Sequence, residues 1–275
     1  VSGILRHLGV SMWRYLKLLG IQLKASLLLS MQYRADFFID AVISMFWAVT
    51  AIAPLWVVYG ERVGGQISGW SLGEAMLVVG CFIFLQAVLE GVIQPSLQTV
   101  VEHIRKGTLD FVLLKPADAQ FLVSTARFQP WKASNFLASG VIFGVAFARL
   151  EVWPSLGNLA QGALLLVVAT GLLYSLWIWV VSAAFVVVKV NNLTFLLSAI
   201  LDVGRWPVGV FRGVLRWVFT FVIPTALMTT FPAQALLGVL SWAEFRLVIV
   251  CAVVFAIVSR WVWLRSIRYY TSASS

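Results

Sequence analysis

The sequence predicts an all-α integral membrane protein with six transmembrane helices, and three observations predict it. Of 275 residues, 61% are hydrophobic and only 11% are charged, about half the usual charged share of a soluble domain. A water-soluble body of this size would lack the polar groups to cover its surface. The apolar residues fall in long uninterrupted runs, which suit helices that satisfy their own backbone in lipid rather than a barrel of short alternating strands. The formal charge of +9, with 20 Lys+Arg against 11 Asp+Glu, is explained by basic residues flanking spans on the cytoplasmic side, and the 13 Trp and 6 Tyr suit the two interfaces. Nucleic-acid binding is disfavoured because no polar domain remains to carry a basic groove. Cys81 and Cys251 each lie alone in an apolar run and read as packing residues.

Residues 1–35 carry Arg6, His7, Arg14, Lys17, Lys24 and Arg34 before the first acid, Asp36. Interleaved with Leu, Ile, Met and Trp at helical spacing, they predict a basic amphipathic helix on the cytoplasmic membrane surface. Its charges interrupt any signal-peptide core, and no A-x-A cleavage site follows. The first span is 37–59, closed by the turn GERVGGQISG. The second, 74–94, is expected to close at Pro95, after which VEHIRKGTLDFVLLKPAD forms the longest polar stretch. By parity that stretch faces the cytoplasm. The third span is placed at 133–148, with a helix leading into it from the segment that carries Arg127 and Pro130. The fourth, 159–188, is long enough to tilt or to project from the bilayer.

Between Lys189 and Gly238 two topologies fit. Only one of the apolar segments 193–203 and 217–237 can cross, because two crossings would put Arg265 and Arg268, beyond the final span 247–264, on the outside. Counting Lys and Arg favours 217–237 as the crossing. The other arrangement has a short span over 193–207 and a helical hairpin over 217–238 that dips in from the outer face, broken at Pro224 and Pro232. Both give six spans and two cytoplasmic ends.

Ionisable residues inside spans cost roughly 2.5–3.5 kcal/mol on insertion scales, so each needs a reason. Asp40 sits one turn inside the first span and reads as an interfacial ion pair with Arg34 or Lys24. Glu90, about three turns from the cytoplasmic loop, is a candidate for the pathway or a subunit interface. Asp202 and Arg205, three apart, neutralise each other. His7 and His103 lack metal-ligand partners at useful spacing, so no metal site is expected. Enzymatic readings fail for want of parts: H-E-x-x-H and G-x-S-x-G are absent, and Ser124 or Ser134 with the distant His103 makes no triad. An ion- or proton-coupled carrier or channel is the alternative to an ATP-driven transporter, but no internal repeat links the halves and the midplane positions are nearly all apolar. Such a slick lining suits amphiphilic cargo.

The polar stretch also offers a mechanical handle. Gly107 and Thr108 read as a turn followed by an N-cap, Leu109, Val112 and Leu113 recur at helical spacing, and Pro116 ends the helix. Asp110 in the first turn and Lys115 in the last suit the helix dipole. Without further information this is equally an ordinary connecting helix.

Two stretches resemble the permease subunits of ABC-2-type transporters, in the branch whose ATPase is a separate polypeptide. One is IRKGTLDFVLLKP, 104–116; the other is VIPTALMTTFPAQALLG, 222–238, ending at Gly238. The resemblance follows span order along nearly the whole chain and favours the hairpin topology. It implies a dimer of permeases, identical or sibling, bound to two copies of a cytoplasmic ATPase that holds ATP and Mg. This chain has no G-x-x-x-x-G-K-[ST] and no cofactor of its own is expected. It further implies that Arg105, Lys106, Gly107, Thr108, Leu109, Asp110, Leu113, Leu114, Lys115 and Pro116 couple to the ATPase, that export is the direction, and that the location is the bacterial inner membrane. Cargo identity is not implied.

Overall fold

In a computed structural model of the chain, residues 2–31, 34–60, 66–185 and 190–270 are described. They are nearly all helical. Helix α1, Ser2–Ser30, turns a small and polar stripe inward. Tyr15, Leu19 and Gln22 are half-buried and Ser26 and Ser30 buried, whereas Trp13, Leu16, Leu23 and Leu27 are exposed. The spacing of four, three, four and four places the inward set on one helix face. Ser26 accepts the backbone N–H of Phe128 at 3.1 Å, so α1 is docked through polar contacts and leaves its apolar side free for lipid.

Helix α2, Arg34–Gly60, contains Pro54 and holds the apolar window Val42–Tyr59. Ala51, Leu55 and Tyr59 form its buried stripe. One feature departs from the all-α expectation: Gln66–Ile67 (β1) and Trp70–Ser71 (β2) pair antiparallel. The turn residues Ser68 and Gly69 both have positive φ, 53° and 82°, the signature of a two-residue hairpin whose twist matches its strands. The Ser-Gly pair inside the predicted loop was its sequence signal.

Helix α3, Leu72–Val88, opens with a capping box between Ser71 and Glu74. It does not end at Pro95. A π-helical turn, Leu89–Ile93, leads straight into α4, Gln94–Lys106, and the whole apolar rod spans Leu72–Lys106. Proline breaks a helix by withholding an N–H from the carbonyl four residues back, here that of Gly91. That carbonyl instead accepts the backbone N–H of Gln129 at 2.8 Å. The π turn and this outside donor together let the helix pass through Pro95, so the VEHIRK stretch is helix rather than loop.

After α5, Asp110–Leu113, and α6, Ala119–Ser124, a 3-10 turn at Pro130–Ala133 leads into α7, Ser134–Leu150. Helices α3 and α7 approach closely: a Cβ added at Gly80 would lie 2.7 Å from Phe143, and Ser139 donates to the Gly80 carbonyl at 2.9 Å. Helix α8, Leu156–Ser182, is capped by Ser155; a Cβ on its Gly162 would lie 2.5 Å from Leu236. Small residues at such crossings let backbones come together where lipid offers no hydrophobic drive. The 3-10 turn Ala183–Phe185 follows, and the last residues of the predicted fourth span, 186–188, lie outside the described set.

Helix α9, Val190–Leu201, has 12 residues, about 18 Å at 1.5 Å each against a hydrocarbon core of about 30 Å. The predicted short span 193–207 is therefore α9 plus a 3-10 turn, Asp202–Arg205, with extended backbone at Trp206. Next come α10, Val214–Trp217, a π turn at Val218–Val222, a second π turn at Ala226–Thr230 and α11, Phe231–Leu237. The two arms, Val214–Val222 and Ala226–Leu237, meet at 70°, with Pro224 at the break and Pro232 accommodated in the first turn of α11. Gly238, φ 74°, caps α11. Helix α12, Trp242–Ser266, begins with a second capping box, Ser241 with Glu244. Five helices among the described residues are long and apolar enough to cross a membrane, six if the bent pair is one span.

Candidate functional site

Helices α3, α8 and α12 each begin with a serine N-cap. Gly73 at the start of α3 abuts Leu150 at the end of α7, and α8 begins a few residues later, which puts the first two caps at one end of the bundle. The chain is tied to that end on both sides of the bent pair, at Gly209 before it and at Gly238 after it. A Cβ on Gly209 would lie 3.4 Å from the Ser68 carbonyl, and one on Gly238 would lie 2.5 Å from the Asn158 side chain.

Between α2, α3, the start of α7 and the Asp202–Arg205 turn lies a half-open cleft of about 410 Å³. Ile43, Trp47, Ala51, Phe82 and Ile83 supply apolar wall, and Glu90, Lys132, Asn135, Asp202 and Arg205 supply polar wall. Glu90 Oε2 is 3.3 Å from Lys132 Nζ and accepts from Asn135 Nδ2 at 3.5 Å. Arg205 Nη2 donates to Asp202 Oδ1 at 3.0 Å, and its guanidinium carbon lies 5.0 Å from the centroid of the Phe82 ring. At the α2–α7 contact Ser44 and Ser134 hydroxyls meet at 3.1 Å. The spacing-based pairing of Asp202 with Arg205 is thus present. The structure brings Glu90 to Lys132, a partner that the sequence reading did not find. The backbone of Asp40 is helical on α2, but its side chain lies outside the described residues.

The 104–116 stretch is arranged differently from the expectation. Gly107, φ 67°, caps α4, and Thr108 hydroxyl meets His103 Nδ1 at 2.8 Å instead of capping the next helix. Leu109 precedes α5 and has no side-chain cap. Leu109 is 0% exposed, and Val112 and Leu113 pack partly against the same core. They anchor the segment to this chain. The apolar residues turned outward are Phe111, 72% exposed, and Leu114, 81% exposed. At i, i+3 and i+4 the three lie on one side, and the core takes that side. Lys106 pairs with Glu102 at 3.5 Å, and the Pro116 carbonyl accepts from Arg14 of α1 at 2.7 Å.

Behind this segment sits a polar network that sequence reasoning missed. Arg260 of α12 donates to both Asp118 carboxylate oxygens, at 3.1 and 2.5 Å, and to Gln120 Oε1 at 2.7 Å. Gln120 Nε2 donates to the Tyr174 hydroxyl of α8 at 3.0 Å, and that hydroxyl also meets Ser124 at 2.7 Å. Tyr15 of α1 accepts the Asp118 N–H at 3.1 Å. Burial works to raise the Asp118 pKa, but the hydrogen bonds from Arg260 and from the Phe121 backbone, with the Arg260 charge, outweigh it and hold the carboxyl below its ordinary value. Arg260 lies inside the predicted final span, so a charge in an apolar run was the available signal.

Among the described residues no group of His, Cys, Asp and Glu could hold a metal ion. A family model described as "ABC-2 family transporter protein" matches residues 45–274. No curated protein and no solved structure matches the chain.

Proposed function

This chain belongs to the ABC-2 transporter family, and on that premise we propose that it is the permease subunit of an ATP-driven exporter. Two permeases, identical or sibling, form the pathway, and two copies of a separate cytoplasmic ATPase bind ATP and Mg and drive it. The end bearing the serine caps faces outward and the end bearing α5 faces the cytoplasm, in the bacterial inner membrane. The single observation that carries the pathway is the half-open cleft with ion pairs among apolar walls, since charges are retained in a membrane interior where something polar must pass.

The coupling role belongs to 104–116, with Phe111 and Leu114 as the knobs offered to an apolar groove in the ATPase and a polar rim around them. Leu109 and Leu113 hold the knobs in place, and the Arg260 network behind them passes the push to α8 and α12. The bent pair is a re-entrant hairpin, supported by the tether of Gly209 and Gly238 to one end of the bundle.

The test is a gentle-detergent pull-down of the full chain with mass spectrometry of its partners. A near-stoichiometric protein carrying a Walker motif is expected, and Phe111→Lys with Leu114→Lys should abolish its recovery while the chain still inserts. Unchanged recovery would overturn the coupling assignment. Transport in energised vesicles without ATP, lost in Glu90→Gln, would instead assign a proton-coupled carrier. For the hairpin, single cysteines at Arg212 and Ser241 should both react with an impermeant thiol reagent from outside; protection of the first alone would make 217–237 a true span.

A further inference from the structure

The two ion pairs of the cleft are unequal to a purely structural task. Both cations and both anions are partly exposed to the cleft, Lys132 least, at 23% of its side chain. The bonding of Glu90 and Arg205 is incomplete among the described residues. Both contacts to Glu90 fall on Oε2, so its other oxygen has no partner among the described residues. Arg205 makes one hydrogen bond, through Nη2, although a guanidinium has five N–H donors; its Nε–H is buried without an acceptor, and its Nη1 bonds to no described residue. Spare acceptor capacity therefore sits beside Glu90 and spare donor capacity beside Arg205. Phe82, under the Arg205 guanidinium, and Glu90 are eight residues apart on one continuous rod, about 12 Å along the axis.

In a membrane interior a bound anion or a bound cation changes the net charge of the cleft, with weak screening in either case. A ligand carrying both charges leaves that net charge unchanged and finds a guanidinium at one end and a carboxylate at the other. The volume, about 410 Å³, equals roughly a dozen waters at about 30 Å³ each, room enough for a compact headgroup. Ile43, Trp47 and Ala51 form the α2 side of the opening, and α2 is an apolar membrane helix whose neighbouring side chains, Val42, Phe46 and Val49, are exposed. A tail can therefore remain in lipid while the headgroup enters.

We propose that the cleft takes a zwitterionic amphiphile, its anionic group on Arg205, its cationic group on Glu90, and its tail along α2. This rests on the reading of the chain as a permease, but the site can be tested without an ATPase. The full chain in maltoside micelles is exposed to a dodecylphosphocholine carrying a diazirine in its tail, and cross-linked peptides are located by mass spectrometry. Capture is expected on 43–51 and 82–90. Unlabelled dodecylphosphocholine should compete at least fivefold better than dodecyl phosphate, dodecyltrimethylammonium or dodecyl maltoside with the same tail.

Arg205→Gln and Glu90→Gln should each cut cleft capture at least fivefold, and Arg205→Lys should retain most of it. Capture on the exposed Val250 and Val253 of α12 serves as the control for folding and for lipid-like adsorption, and should not change in any variant. Equal competition by all four headgroups, or cleft capture unaffected by both Gln variants, would overturn the proposal. Preference for the purely anionic dodecyl phosphate would overturn the zwitterion in favour of an anion site. Failure to recover an ATPase would strike the transporter reading and leave these results standing.

Discussion

Two charged regions of this molecule solve the same problem in opposite ways. At the α5 end, Arg260, Asp118, Gln120, Tyr174, Ser124 and Tyr15 close on one another at 2.5–3.1 Å, and four helices contribute. In the cleft, Glu90, Lys132, Asp202 and Arg205 pair at 3.0–3.3 Å and leave an oxygen and an N–H unused. A satisfied network fixes geometry, because moving any member exposes the others unpaired. A half-satisfied one costs stability and is retained where a ligand completes it. Charge in a membrane protein is thus informative less by its presence than by the valence it leaves open.

The comparison can be broken most forcefully at Arg260. Arg260→Ala should cost about 2 kcal/mol, since charge-assisted hydrogen bonds are worth roughly 1.5–3 kcal/mol and these partners are partly exposed. The unfolding midpoint of the full chain in maltoside micelles measures it. An unchanged midpoint would make the network incidental. Next, Tyr174→Phe should cost about 1 kcal/mol by stranding Gln120 and Ser124. In a double-mutant cycle with Arg260→Ala the two losses should fall short of additive, by more than about 0.5 kcal/mol.

A smaller effect follows from acid. A carboxyl held below its ordinary pKa adds stability that is present above that ordinary value and is lost as pH falls through the lowered one. The midpoint difference between the natural chain and Asp118→Asn should therefore shrink as the medium is taken through the carboxylate range and below it. A difference that persists would assign the effect to packing. The smallest effect is expected in the cleft: Glu90→Gln and Arg205→Gln should each shift stability by less than about 1 kcal/mol, as partly exposed pairs do. A loss as large as that at Arg260 would erase the distinction between the regions.

Hydrophobic run length marked the five helices that are long and apolar enough to cross, because lipid leaves helices few alternatives, but it left the segment between α8 and α12 open and could not place what interrupts the helices. Pro95 read as a stop since nothing local announced that Gln129 would lend its N–H to the Gly91 carbonyl; only tertiary structure supplies that donor.

 The separation that hides it is the 38 residues from Gly91 to Gln129, far beyond any local pattern. The two capping boxes, SLGE at Ser71–Glu74 and SWAE at Ser241–Glu244, were legible as motifs, as was the Ser-Gly hairpin turn. Helical spacing around Leu109, Val112 and Leu113 indicated a helix but not which side was taken by the core, so Phe111 was passed over and Leu114 entered only through the resemblance. The cleft was half legible: Glu90 and the Asp202–Arg205 pair stood out as charges in apolar sequence, whereas Lys132 and Asn135 looked like an ordinary polar entry to a span.

The π turn at Leu89–Ile93 has a mechanical corollary. It divides a 35-residue rod into a bundled arm and a second arm, α4, of 13 residues, about 20 Å long. A π turn is the compliant point of such a rod, and its carbonyl at Gly91 is held from outside rather than along the axis. A tilt of α4 by about 10° about that pivot would carry Lys106 through about 3.5 Å. The rod is a lever with a built-in fulcrum, so an angular change too small to disturb the packing around Gly80 becomes a stroke of atomic-diameter scale at α5. Run in reverse, a push of that size transmitted from Phe111 to the end of α4 arrives at Glu90 as a rotation of about 10°.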